Sequence, residues 1–218
     1  VLNGAGRAFS AGFDLDYSDV DTEAPDFWKK ELRKDFDIIM RFWHCPKPTI
    51  AAVHTYCLGS AMEMAVACDI TLSSETCRFG APEVQFGSGI VALILPWIVG
   101  SKKAKELLLT GDDKISAQEA QAMGLINRVV ADDVTESAIT LAKQIAVNDQ
   151  LAVKLTKQAI NQSVDMMGFR EAMLQALDID VTIETTDTEE SLAFNKVLEE
   201  DGLKAALAWR RQQFENED

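Results

Sequence analysis

Residues 49–73 read TIAAVHTYCLGSAMEMAVACDITLS, and this stretch decides the fold. Residues 49–54 form a short run of β-branched residues and alanines, which predicts a buried strand. Ser60–Ala67 predicts a short helix, and residues 69–73 a second strand. Strand, helix and strand in such close succession predict parallel pairing through a right-handed crossover.

On the N-terminal side, residues 1–3 read as the end of a buried strand entering a turn at Gly4, and residues 4–12 as a loop. A domain rarely begins at such a point, so roughly one preceding βαβ unit, ~30–50 residues, is expected ahead of Val1. Residues 27–43 predict an amphipathic helix, because Trp28, Leu32, Phe36, Ile39, Met40 and Trp43 keep helical spacing. Cys45-Pro46-Lys47-Pro48 stops it. On the C-terminal side, residues 101–109 predict a helix. Ser116-Ala117-Gln118-Glu119 is a capping box that opens another, ending at Gly124. Residues 125–130 predict a strand, and residues 132–148, 151–164, Phe169–Glu184, 189–199 and 202–214 predict helices. The first half thus alternates strand and helix, and the last third is all helix, with no internal repeat.

The 218-residue chain carries 35 acidic against 21 basic side chains, a net charge of −14. That balance argues against sequence-independent nucleic-acid binding, which needs a basic face. It leaves room for an anionic ligand, because helix N-termini and backbone amides hold phosphates locally. Cys45, Cys57, Cys68 and Cys77 form no C-x-x-C pair, and His44 and His54 are the two histidines, so a zinc site is not expected. The cysteines read as reduced, buried thiols in a cytoplasmic setting. The longest apolar run, residues 90–99, is too short to span a bilayer and contains Pro96, so it reads as a buried segment and no membrane association is expected.

Two glutamates stand out. Glu63 lies four residues past Gly59, and Glu83 follows Phe79-Gly80-Ala81-Pro82. A carboxylate in apolar surroundings has a raised pKa and can trade protons near neutral pH. Read singly, Glu63 could instead compensate the charge of a helix N-terminus, and Glu83 could be a solvated turn residue. Gly12 can adopt positive φ and let a ligand reach the backbone, though Ser10-Ala11-Gly12 is also an ordinary turn. The Ser60 N–H opens a helix, free to face developing negative charge. Ser60 as a nucleophile lacks the G-x-S-x-G elbow and a His-Asp relay. Gly4-Ala5-Gly6-Arg7 lacks the endings of a phosphate loop and reads as a turn. Asp69 reads as structural, and His54 as structural or in polar contact with a ligand.

The order of motifs resembles the enoyl-CoA hydratase/isomerase (crotonase) superfamily over nearly the whole chain. The resemblance rests on Arg7-Ala8-Phe9-Ser10-Ala11-Gly12-Phe13-Asp14-Leu15, Lys47-Pro48-Thr49-Ile50-Ala51-Ala52-Val53, Leu58-Gly59-Ser60-Ala61-Met62-Glu63, Cys68-Asp69-Ile70 and Phe79-Gly80-Ala81-Pro82-Glu83. Leu109-Thr110-Gly111, Ile115-Ser116-Ala117 and Ala122-Met123-Gly124-Leu125-Ile126-Asn127 complete it. It implies an α/β fold, a spiral of ββα units over residues 1–140, followed by a C-terminal helical trimerisation region over residues 141–218. It implies an acyl-CoA substrate, a homotrimer or a dimer of trimers, and no metal or cofactor beyond the coenzyme A of the substrate. By position, Phe13 and Ser60 would be the backbone N–H donors of an oxyanion hole, and Glu63 and Glu83 the catalytic pair. Ala11, Phe13, Asp14, Leu15 and Gly59 would contact the coenzyme A thioester. The expected reaction is hydration of a 2-enoyl-CoA. The alternatives within the superfamily are double-bond isomerisation and hydrolysis of a thioester or β-dicarbonyl, and outside it a CoA-binding protein without catalysis.

Three departures bear on substrate. Ser60 and Ala61 replace two glycines of the usual run, and Thr55 stands where glycine is usual. After Gly87-Ser88-Gly89 the chain continues Ile90-Val91-Ala92-Leu93-Ile94-Leu95-Pro96-Trp97 in place of a glycine-rich stretch that shapes the acyl pocket.

Overall fold

The computed structural model describes residues 1–15 and 26–215. Two sheets share the chain turn by turn. One holds four parallel strands side by side: β1 (Leu2–Asn3), β2 (Ile50–Val53), β4 (Ile70–Ser74) and β7 (Arg128–Val130). The other holds β3 (Tyr56–Leu58), β5 (Arg78–Gly80) and β6 (Ile115–Ser116), with β3 and β5 parallel and β6 antiparallel. The chain runs β2, β3 and helix α2 (Ser60–Ala67), then β4, β5 and helix α3 (Leu95–Thr110), giving each sheet one strand per turn. This is the spiral of ββα units that the resemblance implies. The remaining helices are α1 (Phe27–His44), α4 (Ala117–Ala122), α5 (Val134–Ala146), α6 (Gln150–Met166), α7 (Phe169–Glu184), α8 (Glu189–Asp201) and α9 (Leu203–Glu215).

The register explains why β2 carries no polar residue. Successive strand side chains face opposite sides. Ala51 and Val53 enter the main core, whereas Ile50 and Ala52 join Leu72, Val134 and Ala138 in a second cluster under α5. Both faces are covered, as a parallel sheet requires. The division expected at residue 140 falls within α5. Helix α1 buries Leu32, Phe36, Ile39 and Met40, the apolar stripe read from its spacing, in the main core. Helix α6 is tied to the end of α1 by polar contacts: Lys157 Nζ donates to the carbonyls of Phe42 and Lys47 and pairs with Asp69 at 2.7 Å, and Asn161 donates to the Trp43 carbonyl. Asp69 also accepts from Thr49 N and Oγ1, which fixes the entries to β2 and β4.

Three expectations shift. The strand expected over 125–130 begins at Arg128, because the N–H groups of Leu125 and Ile126 turn back to the Ala120 carbonyl and close α4. The apolar run 90–99 divides: its second half starts α3 at Leu95 with Pro96 in the first turn, and Gly100 (φ 78°) kinks the helix ahead of residues 101–109. Strands β3, β5 and β6 were not expected; at two or three residues they are too short to alternate. Thr55 adopts φ 61°, a conformation that a β-branched residue rarely takes. Among the described residues no helix is long and apolar enough to cross a membrane.

Candidate active site

Three segments end side by side. The loop at Phe9 and Ser10 runs along β3, with Ser10 N donating to Tyr56 O at 3.1 Å and Leu58 N to Ser10 O at 3.2 Å. On its other side β3 pairs with β5, and Gly59 N extends the ladder to Gly80 O at 2.9 Å. The exits of all three, Gly12–Phe13, Gly59–Ser60 and Ala81–Glu83, therefore converge. Parallel strands gather functional groups at their carboxyl ends in this way.

Two glycines make the convergence possible. Gly59 has φ 58°, and a Cβ there would overlap Glu83 Oε1. Gly12 has φ 106°, and a Cβ there would sit 3.2 Å from Leu58 O and 3.7 Å from Ser60 N. The two backbones thus touch beside the first turn of α2, where N–H groups have no intrahelical acceptor. Gly12 N itself donates to Ser10 Oγ at 3.2 Å. Neither Phe13 N nor Ser60 N donates to a protein acceptor among the described residues. Ser60 is buried. Ala11, Phe13 and Asp14 are exposed and Leu15 half-buried, so this loop forms the open side of the site.

Glu63 is 4% exposed, and its Oε2 accepts the Ala92 N–H at 2.8 Å. Burial holds its pKa well above the ordinary carboxylate value, and the Glu83 carboxyl raises it further. Burial likewise pushes Glu83 up to about 7, and its buried Oε2 has no hydrogen-bond partner among the described residues. Glu63 and Gly59 line a small cavity of about 10 Å³ with Met62, Val66, Ala81, Ile90, Ala92, Leu95 and Leu108. That is near the smallest space that admits one water molecule. The structure therefore places two carboxyls of raised pKa beside the Gly12–Phe13 and Gly59–Ser60 backbone. It also buries Cys57, Cys68 and Cys77 as free thiols, their pKa values raised by desolvation, so none is poised as a nucleophile. Among the described residues no hydrogen bond joins Ser60 to a histidine; His54 Nε2 lies 3.3 Å from Gly6 O.

The sequence reading missed a second carboxylate pair, Asp180 and Glu184, one turn apart on α7. Glu184 Oε1 accepts from Ser88 Oγ and from Gly89 N. Asp180 lies against Gly89, where a Cβ would overlap its Oδ1. The Asp180 charge raises the pKa of both Glu63 and Glu83. A signal was available: Asp180 falls on the core stripe of α7 after Phe169, Met173 and Leu177. Among the described residues no group of three or more His, Cys, Asp or Glu side chains is arranged to hold a metal ion.

Comparison with known proteins identifies the family to which this fold belongs. The family profile described as enoyl-CoA hydratase/isomerase matches residues 1–201. A putative enoyl-CoA hydratase of Thermus thermophilus is 37% identical over 202 residues, covering 88% of this chain and 77% of that protein. A probable mitochondrial enoyl-CoA hydratase of Dictyostelium discoideum is 34% identical, covering 76% of this chain and 60% of that protein. The crystal structure of an enoyl-CoA hydratase/isomerase from Xanthobacter autotrophicus Py2 superposes with a TM-score of 0.90 at 48% identity, covering 96% of this chain and 78% of that one. The chain belongs to the enoyl-CoA hydratase/isomerase family and is an enoyl-CoA hydratase-like enzyme.

Proposed function

We propose that this chain adds water reversibly across the double bond of a 2-enoyl-CoA. The observation that carries the reading is the buried pair Glu63 and Glu83 beside the Gly12–Phe13 and Gly59–Ser60 backbone. The thioester carbonyl oxygen accepts the N–H groups of Phe13 and Ser60, which draw the conjugated electrons toward it. Each such donor contributes about 2.7–4 kcal/mol to the transition state. A water held between Glu63 and Glu83 attacks the β-carbon. The π electrons shift to form an enolate on the thioester, and the water's proton passes to the glutamate pair. Glu83 then delivers a proton to the α-carbon, and the enolate collapses to the 3-hydroxyacyl thioester. A carboxyl near its pKa at neutral pH both accepts and donates at low cost.

Ala11, Phe13, Asp14 and Leu15 on the open side, and Gly59 at the buried turn, contact the coenzyme A thioester, while the acyl group enters the buried end. The helical region from residue 141 carries subunit contacts in a trimer or a dimer of trimers; the exposed Leu151, Leu155, Ile160, Met166 and Met167 of α6 and its C-terminus support this. Free, unpaired thiols favour a cytoplasmic setting.

The test is incubation with crotonyl-CoA and then with longer 2-enoyl-CoA thioesters, following the conjugated absorbance. Its loss with formation of a 3-hydroxyacyl-CoA is the expected result. Binding without loss would move the assignment to an isomerase or hydrolase whose pocket residues 87–97 have reshaped.

A further inference from the structure

Asp180 is 2% exposed, and both its carboxyl oxygens are buried with no hydrogen-bond partner among the described residues. Such a group costs free energy; burial pushes its pKa up to about 7, and a hydrogen bond from a ligand would offset the remaining cost. Its neighbour Glu184 spends its own oxygen holding Ser88 and Gly89, so the two acids on α7 have different tasks. Among the described residues no cation pairs with either one; the ion pairs there are Arg33–Asp37, Lys34–Glu31, Lys103–Glu106 and Lys157–Asp69.

The position of Asp180 says which part of a ligand can meet it. It lies over Gly89, next in the chain to Ile90, which lines the cavity beside Glu63. It acts electrostatically on both catalytic carboxyls. The loop from Ala11 to Asp14 is exposed, whereas Asp180 is buried against Gly89, so in the hydratase reading a ligand group that meets it belongs to the acyl end. The four carboxyls gathered here offer hydrogen-bond acceptors but no cation, among the described residues, to pair with an acyl chain that ends in a carboxylate. They favour one that brings a hydrogen-bond donor.

We propose that Asp180 is a specificity residue that accepts a hydrogen bond from a hydroxyl or amino group on the acyl chain, so that this enzyme prefers donor-bearing acyl-CoA thioesters to plain ones. The inference rests on the hydratase reading for its choice of ligand, and its test does not depend on turnover. Calorimetry would give dissociation constants for saturated butyryl-, pentanoyl- and hexanoyl-CoA and for their ω-hydroxy and ω-amino counterparts. A buried hydrogen bond to a carboxylate predicts that at least one donor-bearing chain binds on the order of tenfold or more tighter than its parent. Asp180→Leu should abolish that ratio. Asp180→Asn, which keeps an acceptor oxygen and the shape of the side chain, should retain the hydroxyl preference and lose the amino one. If Asp180→Leu does not fold, the Asp180→Asn contrast decides alone. Equal affinities across the wild-type panel, or an Asp180 variant that weakens parent and donor-bearing chains alike, would overturn the proposal. Failure of every acyl-CoA to bind would instead overturn the hydratase reading.

Discussion

In β2 every side chain is buried, Ile50 at 3% exposure and the next three at 0%, whereas in α6 no residue is buried and Leu151 stands 66% exposed. The two regions teach different lessons. Parallel ladders fix the backbone of the sheet-bearing part closely enough for Gly12, Gly59 and Glu83 to touch. The helical part meets that site through α7, where Asp180, Ile183 and Glu184 lie against residues 88–89, and through α8, where Ser191 lies against Gly87 and the Phe194 ring stacks on Phe86 at 5.4 Å. It leaves Leu151, Leu155 and Ile160 exposed, the face on which the proposed trimer would pack. Chemistry should therefore depend on the first region, and assembly and acyl selectivity on the second.

The largest effect is expected at the carboxyls. Glu83→Gln keeps size and fold but removes the proton, and should lower the hydration rate by about 10²–10⁴-fold, measured on crotonyl-CoA. Gly59→Ala comes next. It forces a side chain into positive φ and onto Glu83, so turnover should fall by about 10²-fold with a stability loss of about 1–3 kcal/mol, read by rate assay and denaturant melt. A third change separates the regions. Leu151→Lys combined with Leu155→Lys should shift the oligomer toward smaller species by light scattering while the far-UV spectrum is kept. Wild-type assembly and loss of sheet structure together would break the comparison.

The smallest effect sharpens it through pH. Glu83 has a folded pKa near 7, above its ordinary 4.5. A carboxyl raised on folding binds more protons in the native state, so its contribution is fully present below about pH 4.5 and is lost as pH rises through about 7. Glu83→Gln should flatten that fall and gain about 1–3 kcal/mol at pH 8, seen as a higher melting temperature than wild type at pH 8 and a similar one at pH 4.5.

Much of this was legible in the sequence. Ser60–Ala67 and Phe169–Glu184 have the expected bounds, and the parallel pairing of β2 with β4 follows from their spacing. The Ser116 capping box is present, with Glu119 Oε2 accepting from Ser116 N at 2.9 Å. Glu63, Glu83, Gly12 and Gly59 could be singled out because small residues beside a carboxylate are a local pattern. Strands of two or three residues could not, since their pairing is decided by neighbours distant in sequence. Asp180 was hidden for a related reason. Its place on the stripe after Phe169, Met173 and Leu177 marks it as buried, but nothing near it in sequence shows what it meets, and only the packing of α7 over Gly89 does.

The most direct test of the central claim is turnover of crotonyl-CoA in oxygen-18-labelled water with mass analysis of the product. The account predicts a 3-hydroxyacyl-CoA carrying the label on its β-carbon oxygen, with the thioester intact. Label in a free carboxylic acid, or a rearranged product without label, would contradict it.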